Sequence, residues 1–285
     1  MKFRAQIQDA LYMREFQGII ATLSKLAKDC VMILGRERLH FIVNEEHSST
    51  SAPLVWITIA ARDYFPEYKM TPARDDQEFI VLAMSASHLN RAFAALRSGG
   101  SSTVLSCKMK LQMIQFPCLS VIATVTSPSS AEPREVVHDV PVAIIPASDW
   151  SAYMLPKVPS AQFVLCLSSM RLLRSLIDKL KNISPNLVFH GSAAGELNLV
   201  AESDMATITT RFKRLLQSMA ATETPSTVTE SSCSVDSRKT SAFFNALQLP
   251  NEELNIGIDN EHCIHLQLDI RENVILHSIL PAVCI

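Results

Sequence analysis

The chain has 285 residues, 48% apolar and 19% charged, which supplies one large or two ordinary cores and excludes wholesale disorder. Glycine is scarce at 7 residues, and no G-x-x-x-x-G-K or G-x-G-x-x-G spacing occurs, which argues against a glycine-rich nucleotide cradle. With 26 basic and 28 acidic residues the formal charge is −2, so a polyanion-binding face must come from sorting of charge along the chain.

In chain order, a short alternating run, Phe3–Ile7, meets Asp9 and then turns amphipathic, predicting a helix over 11–28. Strand-like runs follow at 30–35, 38–44 and 54–60. The same junction recurs at Phe79–Met84 with Ser85, opening a helix over 85–98 and strands at 103–109, 115–125 and 135–142. Residues 126–135 read as a mobile hairpin tip. Segment 144–159 carries Pro146, Pro156 and Pro159 with Ile145 and Trp150, and reads as an extended connector, because proline disfavours helix continuation and central strands. Beyond it, Phe163–Leu167 with Ser168 opens a helix over 168–182, followed by strands at 186–190, 195–200 and 205–213. The Ser/Thr/Glu-rich stretch 218–232 reads as a disordered, solvated loop open to phosphorylation. Finally, Ser232–Val235 with Asp236 opens a helix over 237–247, with strands at 253–258, 262–268 and 273–280. Asp or Ser at each junction suits an N-cap.

Strand–helix–several strands thus occurs four times, which suggests two similar domains of two similar halves: 1–143 and 160–285, joined by 144–159. The apolar runs Val140–Pro146 and Ile275–Ile285 are too short to span a bilayer, and the first residues lack a signal-peptide core. Seven scattered cysteines without a C-x-x-C fit a reduced, intracellular protein.

The four helices concentrate positive charge. They hold Arg14, Lys25, Lys28, Arg91, Arg97, Arg171, Arg174, Lys179, Lys181, Arg238 and Lys239 against only Glu15 and Asp178. On helix 11–28, Arg14, Gly18, Ala21, Lys25 and Lys28 form a stripe opposite the apolar one, with small residues in its middle that would let a large partner approach. A single such helix is ordinarily a solvated face; four at equivalent positions point to a polyanion surface. Cations late in helix 11–28 also suit the helix dipole.

Catalytic chemistry is hard to find. His262 and His265 resemble a metal pair, but on a strand residues three apart face opposite sides, as do the neighbours His138 and Asp139. No G-x-S-x-G, H-E-x-x-H or paired-carboxylate motif occurs, so neither catalytic residues nor a metal or cofactor is expected. An enzyme using these histidines is the reading from a different class.

Several stretches together carry a family resemblance: Met1–Ala5, Lys25–Lys28 followed by Cys30, Phe116–Val121, Val137–Pro141, Leu180–Ser184, Gly195–Leu199, Thr209–Lys213 and Ile279–Ala282. They resemble the HUS-family subunit of the nine-one-one DNA-damage checkpoint clamp, within the sliding clamps of the proliferating-cell nuclear antigen type. The loops near 47–53 and 214–232 depart from the pattern. The resemblance implies an α+β DNA-clamp fold, with two helices per domain on antiparallel sheets and the helices lining a ring's inner face. It implies a non-enzymatic subunit that joins two related subunits in a heterotrimeric ring, is loaded on double-stranded DNA by a replication-factor-C-like loader, and recruits checkpoint and repair proteins. It places the protein in the nucleus, with some in the cytoplasm. It also implies edge-strand pairing with neighbouring subunits near Val136, His138 and Val140 and near Thr207, Thr209 and Arg211, and a docking groove beside the connector at Ile145 and Trp150. A homotrimeric replication clamp is the alternative within the fold.

Overall fold

The computed structural model describes residues 1–43, 54–96, 103–127, 130–159, 161, 164–218, 229–249 and 253–283. Two compact units emerge, one of Met1–Val43, Trp56–Leu155 and Gln248–Pro250, the other of Asn44–Val55, Pro156–Leu247 and Asn251–Ile285.

The first unit begins β1 (Lys2–Ile7), α1 (Ala10–Leu26), β2 (Asp29–Leu34), β3 (Arg38–Val43) and β4 (Leu54–Ala60). A short helix α2 (Ala61–Tyr64) and β5 (Glu67–Thr71) follow, then β6 (Ile80–Ser85), α3 (Ala86–Ala92), a 3₁₀ turn at Phe93–Leu96, β7 (Thr103–Met113), β8 (Pro117–Ser127) and β9 (Ser130–Ile144). Its strands run in the order β4-β3-β2-β6-β9-β8-β7-β1-β5.

The second unit repeats the plan. It comprises β10 (Val164–Leu167), α4 (Met170–Leu180), β11 (Asn186–Ser192), β12 (Glu196–Glu202), β13 (Thr207–Phe212), β14 (Leu216–Ser218), β15 (Glu230–Asp236), α5 (Ser237–Ala246), β16 (Leu254–Asp259), β17 (Cys263–Arg271) and β18 (Val274–Pro281). Its strands lie as β13-β12-β11-β15 and β14-β10-β16-β17-β18. The row β4-β3-β2-β6 corresponds to β13-β12-β11-β15, and β9-β8-β7-β1 to β18-β17-β16-β10. The repeated strand–helix–three-strand motif predicted from the sequence is therefore present four times. The short elements α2, β5 and β14 escaped prediction, being brief and without marked periodicity.

The helices form where sequence periodicity and caps agree. Asp9 accepts hydrogen bonds from the backbone N–H of Leu11 (2.7 Å) and Tyr12 (3.1 Å), and Asp236 accepts one from Lys239 (2.8 Å). The serine caps behave differently: Ser85 makes no side-chain cap bond, and α4 is preceded by Ser169 rather than the expected Ser168, again without a side-chain cap bond. Below α1, Phe16 is fully buried among Phe41, Tyr64, Phe65 and Phe93, with ring centroids 5.1–6.1 Å away. Such large apolar side chains contribute about 3–5 kcal/mol each against truncation to alanine.

Three expectations need correction. Gly18 and Ala21, read as an exposed small-residue stripe, are buried: a Cβ on Gly18 would meet the Gln248 carbonyl oxygen at 2.9 Å, so the missing side chain admits the protein's own chain, not a partner. Thr22 secures that segment by accepting the Gln248 N–H on its hydroxyl at 2.9 Å. The connector is not extended throughout, because Ala147–Tyr153 is a 3₁₀ helix entered from Pro146 at φ −67°. Residues 130–135 belong to strand β9, which leaves 128–129 of the expected tip, together with Arg97 and 219–228 of the expected loop, outside the described residues.

The two histidines sit in different surroundings, His265 buried and His262 exposed. His265 lies against His277, with Nε2 3.0 Å from Nδ1 and the rings stacked at 5.3 Å. His262 is exposed, with Nδ1 2.6 Å from the Asn260 carbonyl oxygen. The six described cysteines form no disulfide, and burial pushes the Cys30, Cys107 and Cys233 thiols up to about 12.

Replacing Gly18 with Val should destabilise the protein by about 1–3 kcal/mol, because the Gln248 backbone must move, as a lowered urea midpoint would register. A pH effect follows from the buried imidazoles. Burial, aided by His277, lowers His265 to about 4, and burial, aided by Arg38, lowers His40 to about 4, against 6.5 when unfolded. The unfolded chain then binds more protons between those values, so their contribution is full above pH 6.5 and lost as pH falls towards 4. The urea midpoint should drop across that window, and replacing both histidines by Gln should flatten the drop.

Candidate nucleic-acid interface

Each unit presents two neighbouring helices held by the same backbone device. In the first, the N–H of Ala86, which starts α3, donates to the Lys28 carbonyl just beyond α1 at 2.9 Å. In the second, the N–H of Ser237, which starts α5, donates to the Pro185 carbonyl beyond α4, also at 2.9 Å. The start of one helix thus meets the end of the other, and each pair runs antiparallel.

On α1 and α3, Arg14, Lys25 and Arg91 are exposed, and Lys28 is exposed just after α1 rather than within it. Glu15, the acid of this helix, is buried and does not face solvent. Arg91 lies at an open groove of about 310 Å³ between α3 and β9 that is lined on the β9 side by the stretch His138–Pro141. One residue read for DNA and one read for a subunit contact therefore share one groove.

On α4 and α5, Arg171, Lys179 and Arg238 are exposed and Lys239 is half-buried. Two cations are engaged within the fold. Arg174 donates through Nε to the Asn245 side-chain oxygen at 3.0 Å and through Nη2 to the Asn245 carbonyl at 3.3 Å. Lys181 pairs with Asp178 and donates to the Ser241 hydroxyl at 3.2 Å. Asp178 also accepts from Ser241 at 3.0 Å and from Asn245 at 3.2 Å. The bonds from Lys181, Asn245 and Ser241 hold its carboxyl below the usual carboxylate range. Arg174 and Lys181 thus join α4 to α5 as well as adding charge, a role their spacing in sequence did not reveal because Asn245 and Ser241 lie far along the chain. Beside them, Lys181, Asn182, Arg238 and Asn245 line an open polar groove of about 450 Å³, a shape and donor set that suit a phosphate oxygen.

The expected edge strands differ from each other. β13 ends its sheet, and Thr207, Thr209 and Arg211 are exposed on it. β9 pairs with β8 along most of its length but with β6 only through Val142–Ile144, so one side of its earlier part is unpaired by β6. Val136 and His138 are accessible there, whereas the Val140 side chain is buried in the core and offers only backbone to a neighbour.

The connector is anchored rather than loose. Ile145 is buried and its N–H donates to the Val81 carbonyl at 2.9 Å. Trp150 donates from Nε1 to the Ile145 carbonyl at 3.0 Å and meets Phe79 edge-on, with centroids 6.1 Å apart. Around it, Ile33, His40, Val81, Tyr153 and Met154 border a largely apolar cleft of about 110 Å³.

Comparison with known proteins agrees with this architecture. The model of the Hus1-like protein family matches residues 1–284. The checkpoint protein Hus1-like of Drosophila melanogaster is 64% identical over 285 residues, covering 100% of both chains. The checkpoint protein HUS1 of Homo sapiens is 30% identical over 286 residues, covering 99% of each. Among solved structures, the proliferating cellular nuclear antigen of Entamoeba histolytica superposes with a TM-score of 0.71 at 11% identity, covering 99% of each chain, so the clamp fold is shared. With its family matched along nearly its whole length and its two units built on that fold, the chain belongs to the Hus1 family.

Proposed function

We propose that this chain is a non-enzymatic subunit of a heterotrimeric, ring-shaped checkpoint clamp that encircles double-stranded DNA and recruits checkpoint-signalling and repair proteins. The observation that carries the reading is the match to the Hus1 family over residues 1–284, on a clamp fold whose two helix pairs both present exposed cations. The relatives are named as checkpoint proteins, which favours this reading over a homotrimeric replication clamp.

In this mechanism Arg14, Lys25, Lys28, Arg91, Arg171, Lys179 and Arg238 touch phosphates, giving grip without sequence readout. Arg174 and Lys181 hold α4 against α5 and lend their remaining charge. Related subunits pair with β9 around Val136 and His138 and with β13 around Thr207–Arg211, satisfying backbone groups that an edge strand otherwise exposes. A replication-factor-C-like loader places the closed ring on DNA in the nucleus. The apolar cleft that Trp150 lines receives partner peptides, with the indole held in place by its hydrogen bond to the Ile145 carbonyl.

Reversing Lys25, Lys28, Arg171 and Lys179 to Glu in the assembled ring should abolish retention on circular DNA at moderate salt while leaving assembly intact. Unchanged retention would rule out these helices as the DNA-facing wall. Sizing supplies the second test: the chain alone should run as a monomer and enter a ring-sized complex only with two related subunits. A stable trimer of this chain by itself would favour the homotrimeric clamp.

A further inference from the structure

The outward face of the first unit's sheet carries a second concentration of positive charge, on the side away from α1 and α3. Phe3, Ala5 and Ile7 of β1 and Cys107 and Met109 of β7 point into the core. Their alternating neighbours Lys2, Arg4, Lys108 and Lys110 therefore point out, and Lys69 of β5 joins them by register. Arg4 lies directly opposite Lys69 on one side and directly opposite Lys110 on the other, so three cations form one rung across three strands. Lys108 stands opposite Gln6 in the next rung of the same face. Glu67 is the acid among them, 3.3 Å from Arg4. No ion pair involves Lys2, Lys69, Lys108 or Lys110 among the described residues.

Sheet stability does not account for this arrangement. Like charges directly opposite each other on neighbouring strands destabilise a sheet. A lysine on an edge strand discourages unwanted pairing, which explains Lys69 on the terminal strand β5, but Arg4 and Lys110 sit on interior strands. We propose that this rung and its flanking lysines form a docking surface for an extended acidic segment of a partner protein. The patch measures about 10 Å across the strands and about 14 Å along them, the reach of about four residues of extended chain.

Charge and shape favour that occupant over nucleic acid. The rung continues from Lys110 to Ser120 of β8 and Asp139 of β9, which lies about 10 Å from Lys110, and Glu135 lies on the same side of β9, so acids bound the patch on that flank. A duplex long enough to make several phosphate contacts would run over them. Single-stranded nucleic acid wants aromatic faces for stacking. Tyr68 does not provide one, because it turns inward against Phe3 and Phe65 and donates its hydroxyl to the Gly35 carbonyl at 2.7 Å.

The test uses the full chain and a fluorescein-labelled ten-glutamate peptide at low salt, read by anisotropy. The wild-type chain should bind it in a salt-sensitive way. Lys69→Glu with Lys110→Glu should weaken binding about tenfold or more. Lys69→Gln with Lys110→Gln, which adds no repulsion, should give a smaller loss in the same direction. Lys157→Glu, at an exposed lysine elsewhere, should leave affinity unchanged. The proposal is overturned if the paired variants bind the peptide as the wild type does, or if Lys157→Glu costs as much. It is equally overturned if a short DNA duplex binds the wild type more tightly than the peptide and loses more affinity in the paired variants, which would make the patch a nucleic-acid surface.

Discussion

The rest of the structure depends on one strand pairing made twice. β2 pairs with β6 so that Asp29 faces Ser85, and β11 pairs with β15 so that Asn186 faces Asp236. Ser85 and Asp236 are the residues that precede α3 and α5, so each pairing brings the start of the second helix to the end of the first. The hydrogen bonds from Ala86 to Lys28 and from Ser237 to Pro185 close that junction. Once it is closed, the helices of each unit must run antiparallel on one side of the sheet, and the polar stripe of each must turn away from it. The charged surface is thus a consequence of backbone register.

The two units meet this constraint with different chemistry. Between α1 and the elements around it the contacts are aromatic, centred on Phe16, with Tyr64 donating its hydroxyl to the Tyr12 carbonyl at 2.8 Å. Between α4 and α5 they are polar, centred on Asp178 and Arg174. The polar solution places cations where they serve structure and surface together. An Arg that reaches a carbonyl at a helix end satisfies an acceptor the helix leaves open and opposes the partial negative charge there. Reversal of Arg174 or Lys181 would therefore disturb helix packing along with charge, whereas Arg171 and Lys179 separate the two effects.

Much of this plan was legible in the sequence because its signals are local. Alternation within strands, amphipathic runs in helices and an acid at positions 9 and 236 all act over a few residues, and the fourfold motif followed from them. What stayed hidden needs distant partners. Nothing near Gly18 announces that Gln248 will approach it, so the stripe through Gly18 and Ala21 read as open. Nothing near Arg174 points to Asn245. The rung of Lys69, Arg4 and Lys110 is invisible for the same reason: its members lie far apart along the chain and meet only through strand register. Within 144–159 the prolines suggested extension, but Trp150 reaches back five residues to the Ile145 carbonyl and favours a tight turn.

The surplus of charge on the helices is also smaller in effect than its count suggests. Arg174 and Lys181 are committed to Asn245 and Asp178, and half-buried Lys239 is not fully presented. Each phosphate neutralised contributes a salt slope of about −0.9, so a handful of exposed cations on one chain gives binding that fades quickly as salt rises. A protein built for tight binding as a single chain would gain by freeing those cations. A subunit that shares a closed ring has no such need, because enclosure retains the duplex and contacts need only keep it centred and mobile. The division of labour on the helices, some cations binding helix to helix and others left to solvent, fits the second case.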